Sequence, residues 1–262
     1  MSDKGSGLLM AIDVGNTDTV IGLFDDGELV QHWRVQTEPE RRADEYGVLV
    51  WSLFHAAGME VPRVSDVVVA CVVPPLTTVI EGVCRDYFDA EPLVIGPGVK
   101  TGMPILYENP REVGADRVCN AVAAYERTNA ATIVVDFGTA TTFDYITPKG
   151  EYLGGVIAPG IGISLDALYT RTAKLPRVEL VRPPTVVGRN TTGAIQAGVV
   201  YGYVELVDGI VGHIQRDEDV EARVLATGGL ASLIAPESKT IEDVDEFLTL
   251  EGLRIVHVRN QS

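Results

Sequence analysis

The chain has 262 residues, 46% of them hydrophobic and only 6% aromatic, enough for one large domain or two of ordinary size. With 21 basic residues against 37 acidic, its formal net charge is −16, so neither nucleic acid nor a membrane surface is an expected partner. An anionic substrate such as a nucleotide must then be drawn in locally, by backbone amides, a helix N-terminus or a metal ion.

The chain opens on the polar stretch MSDKGSG, with only five apolar residues before Asp13, which is not a signal peptide. Residues 8 to 12 and 19 to 24 read as strands, with a third over 29 to 35. Tyr46, Leu49, Val50, Leu53, Phe54 and Ala57 follow helical spacing, closed by Gly58. "DVVVACVV" is a buried strand whose apolar run, Val67 to Val73, is too short to span a bilayer. Leu76, Val79, Ile80, Val83, Cys84 and Tyr87 are again helical, and "PLVIG" is a strand. Three strands followed by helix, strand, helix and strand describe an α/β fold with a mixed sheet.

From residue 131 the pattern repeats. Shifted by 123 positions, Asp13 falls on Asp136, Gly15 on Gly138, Thr19 on Thr142, Gly27 on Gly150 and Glu28 on Glu151. This suggests a duplication, and two similar domains facing each other across a cleft. The boundary belongs in the Pro/Gly-rich stretch 96 to 117, giving domains 1–113 and 114–262. Residues 190 to 213 form a long helix capped by Asn190 or Thr191 and containing Gly193, Gly198, Gly202 and Gly209. "RVLATGGLASLI" reads as strand, glycine turn and helix, either a simple tight turn or room for an adenosine.

The odd set Cys71, Cys84 and Cys119 contains no Cys-x-x-Cys, which fits packing cysteines in a reducing, cytoplasmic setting. His32, His55, His213 and His257 lack ligand spacing and are structural or surface residues. The loop "GPGVKTG" lacks the ending of a P-loop and is a connector.

Two sites remain. Asp13-Val14-Gly15-Asn16-Thr17 alone is a hairpin turn. It recurs as Asp136-Phe137-Gly138-Thr139, and both copies end a strand on an acid that needs a cation or donors. Two such hairpins suit a triphosphate and its metal. In "GADRVCNAVAAYER", Asp116 begins a helix, either as its N-cap or as a carboxylate beside the cleft with Arg117 next to it.

The ordered set "DVGNTDTVIG", "GADR", "DFGTATTFD", "GGVIAPG", "GRNTTGAIQAG" and "TGGLA" resembles the type III pantothenate kinases, in the superfamily of actin, Hsp70 and sugar kinases. The resemblance covers nearly the whole chain and implies two ribonuclease H-like (actin-like ATPase) domains and transfer of phosphate from ATP to pantothenate. It implies that Asp13, Val14, Gly15, Asn16, Thr17, Asp18, Thr19 and Val20 bind ATP, with Asp13 on the magnesium side, and that Thr139 also contacts ATP. Asp136 would bind potassium or ammonium. Tyr107, Gly114, Ala115, Asp116, Arg117 and Thr191 would contact pantothenate, with Asp116 as catalytic base and its pKa kept low by the helix N-terminus. A homodimer sharing the pocket between chains is also implied. Asp18 departs from the family, where Asn is common. The rival readings are a kinase for another small hydroxylated substrate and a non-catalytic accessory protein of the same superfamily.

Overall fold

The computed structural model describes residues 7–59 and 64–261, so most of the polar N-terminal stretch lies outside the described residues. Two five-stranded sheets are built in the same way. The first contains β1 (Leu8–Val14), β2 (Asp18–Asp25), β3 (Glu28–Gln36), β4 (Val64–Cys71) and β5 (Pro92–Val94) in the order β3-β2-β1-β4-β5. The second contains β6 (Thr132–Phe137), β7 (Ala140–Ile146), β8 (Tyr152–Pro159), β9 (Arg223–Thr227) and β10 (Asp243–Val244) in the matching order β8-β7-β6-β9-β10. In each, the first three strands are antiparallel and the last two join in parallel. The duplication read from sequence is therefore a duplication of topology.

One paired identity is corrected. Asp13 lies opposite Val20, whereas Asp136 lies opposite Thr142. The turn of the second hairpin is one residue shorter, and a one-residue slip moves a side chain to the other face of a sheet. Thr19 therefore corresponds to Thr141, each opposite the last residue of the preceding strand, and Val20 corresponds to Thr142. The offset returns to 123 after the next turn. A register shift falls between Leu23 and Phe24 in β2 and between Tyr145 and Ile146 in β7, the same place in both copies.

The helices are α1 (Ala43–Ala56), α2 (Pro74–Phe88), α3 (Ala115–Thr128), α4 (Ile161–Arg171), α5 (Thr191–Asp217), α6 (Ala231–Ile234) and α7 (Leu248–Asn260). Local chemistry sets their ends. The Arg42 N–H donates to the Glu45 carboxylate at 2.9 Å ahead of α1, and Gly58 with positive φ follows its end. Pro74 and Pro75 open α2, where missing N–H groups cost nothing, and Asp89 closes it in the left-handed region. Asn190 caps α5 by accepting from the Gly193 N–H at 2.7 Å. "DVVVACVV" leaves the sheet at Cys71, because Val73 turns to start α2.

The chain divides into two compact units. The first is Met1–Gly102, Asn109–Ala123 and Thr249–Ser262, and the second is Met103–Glu108 with Ala124–Leu248. A single cut after residue 113 separates the repeats, but the compact units exchange segments: α7 follows the second sheet in sequence and packs in the first unit. There its Leu250 reaches Gly22 and its Gly252 lies on the Cys119 backbone. The first core includes Met10, Ile12, Phe54, Val69, Leu76 and Ile80, and the second Ile133, Val135, Phe143, Val200, Val207 and Ile234. By length and composition α5 could cross a membrane, but its buried valines 199, 200, 204, 207 and 211 belong to the second core. All three cysteines are free; burial pushes the Cys84 thiol up to about 12, as expected of a packing residue.

Candidate active site

In the first unit, the hairpin tip is held by backbone. The Gly15 N–H donates to the Asp18 carbonyl at 3.0 Å, and Thr37 N–H to the Thr17 carbonyl at 2.8 Å. Asn16 and Thr17 are exposed at the tip, while Thr19 is buried and shares a 2.9 Å hydroxyl contact with Thr37. Asp18 pairs with Arg34 at 3.3 Å on the surface, so this departure from the family pattern is absorbed locally. Met10, Ile12 and Val14 point into the core, which leaves half-buried Asp13 on the other face of the sheet.

That face also receives the start of α3. Cys119, wholly buried there, has its thiol pushed well up, first by burial and then by the charges of Asp13 and Asp116. The first hairpin and Asp116 are thus brought together in one unit. Asp116 lies in the first turn of α3 rather than at its N-cap, and its Oδ1 accepts from the Arg117 N–H at 2.8 Å. A side chain at Gly114 would run into that same Oδ1, so glycine is what lets the carboxylate fold back over the helix start. The expected low pKa is overturned. Burial raises the Asp116 pKa, and this outweighs the Arg117 amide and the Arg117 charge, which lower it. The helix N-terminus is present, but the loss of solvation at the half-buried carboxyl outweighs it.

In the second unit, Asp136 is flanked across the sheet by Thr142 on β7 and Thr227 on β9. The next turn is shaped by two glycines from the motifs "TGGLA" and "GGVIAPG", whose link to this hairpin the sequence did not show. A side chain at Gly228 would strike Asp136 and the Phe137 backbone, and one at Gly160 would strike the Thr139 carbonyl. The glycine of "TGG" is thus needed by the acidic hairpin itself. Thr139 is exposed at the tip. Tyr107 belongs to this unit, its ring centroid 6.4 Å from that of Tyr152, and Thr191 is exposed at the first turn of α5. Gly198, Gly202 and Gly209 of α5 face open space, so the close packing they allow is not used among the described residues.

The donor chemistry suits hard cations. Asp13 and Asp136 offer carboxylate oxygens, and Thr142 and Thr227 put hydroxyl-bearing residues beside Asp136. Among the described residues no group of three or more His, Cys, Asp or Glu gathers, so a cation here would share its coordination with phosphate oxygens and water, as Mg2+ commonly does.

Residues 9–213 match the family model for type III pantothenate kinase. A type III pantothenate kinase of Anaeromyxobacter sp. (strain K) is 62% identical over 254 residues, 97% of this chain and 100% of that protein. Among solved structures, a Baf-family protein of Campylobacter jejuni aligns with TM-score 0.58 at 18% identity, over 96% of this chain and 98% of the other. The inorganic polyphosphate/ATP-glucomannokinase of Arthrobacter sp. strain KM aligns with TM-score 0.51 at 15% identity, over 98% and 100% of the two chains. At such identities these two speak for the fold, that of the actin-like ATPases and sugar kinases.

Proposed function

This chain belongs to the type III pantothenate kinase family, and from that premise we propose how its residues share the work. The reaction moves the γ-phosphoryl group of ATP to the primary hydroxyl of pantothenate, giving 4′-phosphopantothenate in coenzyme A biosynthesis. The kinase uses ATP with a divalent metal. Phosphoryl transfer passes through a loose transition state, so the protein acts by positioning and by charge stabilisation.

Asp13 to Val20 and Thr139 hold the nucleotide phosphates through backbone amides and small polar side chains, with Asp13 turned to magnesium. Asp136 holds potassium or ammonium, a role supported by the threonines flanking it. When bound, these cations neutralise phosphate charge in the role that a P-loop lysine fills elsewhere. Tyr107, Gly114 to Arg117 and Thr191 hold pantothenate, whose carboxylate needs a cation such as the buried Arg117 guanidinium.

Asp116 orients the pantothenate hydroxyl and accepts its proton. One observation carries this role: its carboxylate folds back over the start of α3, accepting from the Arg117 N–H at 2.8 Å, in the same unit as the first phosphate hairpin, and burial there raises its pKa. A raised pKa makes a better base, provided the group stays ionised at working pH.

The active form is a homodimer with pockets built from both chains. The edge strand β8 exposes Val156 and Ile157, and α4 exposes Ile163, Leu168 and Tyr169. An apolar edge of this kind is a liability until it is covered. A cytoplasmic location is supported by the three unbridged cysteines.

The test is ATP-dependent phosphorylation across pantothenate, simple sugars and water, with and without potassium. Turnover with pantothenate alone, stimulated by potassium, is expected. Preference for a sugar would overturn the substrate reading.

A further inference from the structure

Asp144 is a carboxylate with no exposure, in the middle of β7. Its neighbours Phe143 and Tyr145 enter the apolar core, so Asp144 lies on the opposite face of the sheet, the face it shares with Thr142. Burying a carboxylate is costly unless hydrogen bonds satisfy it. The Tyr152 hydroxyl donates to Oδ1 at 2.6 Å, in the short range of a bond to a charged acceptor, and the Thr142 hydroxyl donates to Oδ2 at 3.4 Å.

Tyr152 is also wholly buried, and it grips the segment that carries Tyr107. Its N–H donates to the Pro104 carbonyl at 2.9 Å, and its carbonyl accepts from Leu106 N–H at 2.8 Å. Tyr107 follows directly, its ring tilted 58° against that of Tyr152. Thr142, at the other end, lies opposite Asp136. Asp144, the last residue of the motif "DFGTATTFD", therefore joins the acidic hairpin to the Tyr107 segment.

We propose that Asp144, acting through the Tyr152 hydroxyl, is a positioning residue that sets the Tyr107 ring for pantothenate. The proposal rests on the reading of Tyr107 as a pantothenate contact. Asp144 itself touches no substrate. A rigid contact residue loses more affinity from misplacement than from a small change in its own chemistry.

The test compares Tyr152→Phe, Asp144→Asn and Tyr107→Ala in the full chain by steady-state kinetics and thermal melting. Tyr152→Phe removes only the hydroxyl, leaving the backbone grip and the ring in place, so it remains informative if Asp144→Asn fails to fold. It should raise the pantothenate KM about tenfold and leave the ATP KM within about twofold. Added to Tyr107→Ala, it should raise the pantothenate KM no further. A lower melting temperature with both KM values unchanged would make the pair merely structural and overturn the proposal. So would an equal rise in both KM values. If Tyr107→Ala itself leaves the pantothenate KM unchanged, the pantothenate reading of Tyr107 fails first and takes the proposal with it. If Tyr107→Ala raises it and Tyr152→Phe does not, the positioning role alone fails.

Discussion

The two acidic hairpins share a sheet order and even a register shift, yet they differ by one residue at the tip. In the first, that residue places Val20 opposite Asp13; in the second, the shorter turn places Thr142 opposite Asp136. One backbone plan thus surrounds one acid with an aliphatic neighbour and the other with hydroxyls. The difference shows how duplicated scaffolds acquire separate chemistry: turn length, more than strand sequence, decides what stands beside the carboxylate. The outer strands diverge as well. β3 alternates exposed and half-buried positions along its edge, with Glu28, His32, Arg34 and Gln36 among the exposed ones, whereas β8 carries Gly154, Gly155, Val156 and Ile157.

If the first unit holds the base, its loss should be the most severe lesion in the molecule. Asp116→Asn should lower turnover by about three orders of magnitude or more while ATP binding, read by calorimetry, persists. Near-normal turnover in the folded variant would reduce Asp116 to a structural residue. Its pKa also fixes two pH responses. Turnover should rise with pH through a value above the ordinary 3.8, because the ionised form is the base. A carboxyl pKa raised by folding gives stability that is full below about 3.8 and lost as pH rises through the folded value. Asp116→Asn should therefore melt higher than wild type at neutral pH, with the gain vanishing in acid; a lower melting point at neutral pH would contradict burial as the cause.

The second hairpin should fail differently. Activity should collapse when sodium replaces potassium, and Asp136→Ala should remove the potassium response, which a salt titration of turnover reads directly. Equal rates in both salts would erase the chemical contrast between the two acids.

The divergent edge strands lead to mixed dimers of Asp116→Asn with Ile157→Glu on the exposed face of β8, each inactive alone but folded and dimeric by sizing; Ile161, nearby in sequence, is buried in the second core and cannot serve as the surface lesion. With shared sites, about half the dimers are mixed and each of these holds one intact site, so roughly a quarter of wild-type activity should return. No recovery after verified subunit exchange would assign each site to a single chain.

The smallest contrast lies between the two corresponding threonines. Thr19→Val breaks a buried hydroxyl pair with Thr37 and should cost about 1–2 kcal/mol in denaturant unfolding. The Thr141 hydroxyl is buried without a hydrogen-bond partner among the described residues, so Thr141→Val should be neutral or stabilising. Equal losses at both positions would mean that the two hairpins are more alike than their registers.

The strands other than the two-residue β10, the long helix and both acidic hairpins were legible because alternation, caps and glycine turns are written locally. The final helix α7 was not read at all. Leu248, Leu250, Leu253, Ile255 and Val256 are all buried, so "LTLEGLRIVHV" has no single apolar stripe and could pass for alternating strand. α4 was missed for the opposite reason, since Ile161 is its only fully buried residue. The true partner of Thr19 could not be found from identity alone, because the turn lengths changed while the residues did not. The Asp116 pKa depends on burial, which no helix-start signal carries.

The placement of α7 has a consequence for how the protein is made. The first compact unit includes Thr249–Ser262, so the strands of the first sheet wait until this segment has left the ribosome before their unit is complete. The second unit is nearly continuous from Ala124 to Leu248 and needs no such delay. Contacts that close so long a loop slow folding and prolong the exposure of apolar surface during synthesis. The half that is translated first is thus the half that finishes last.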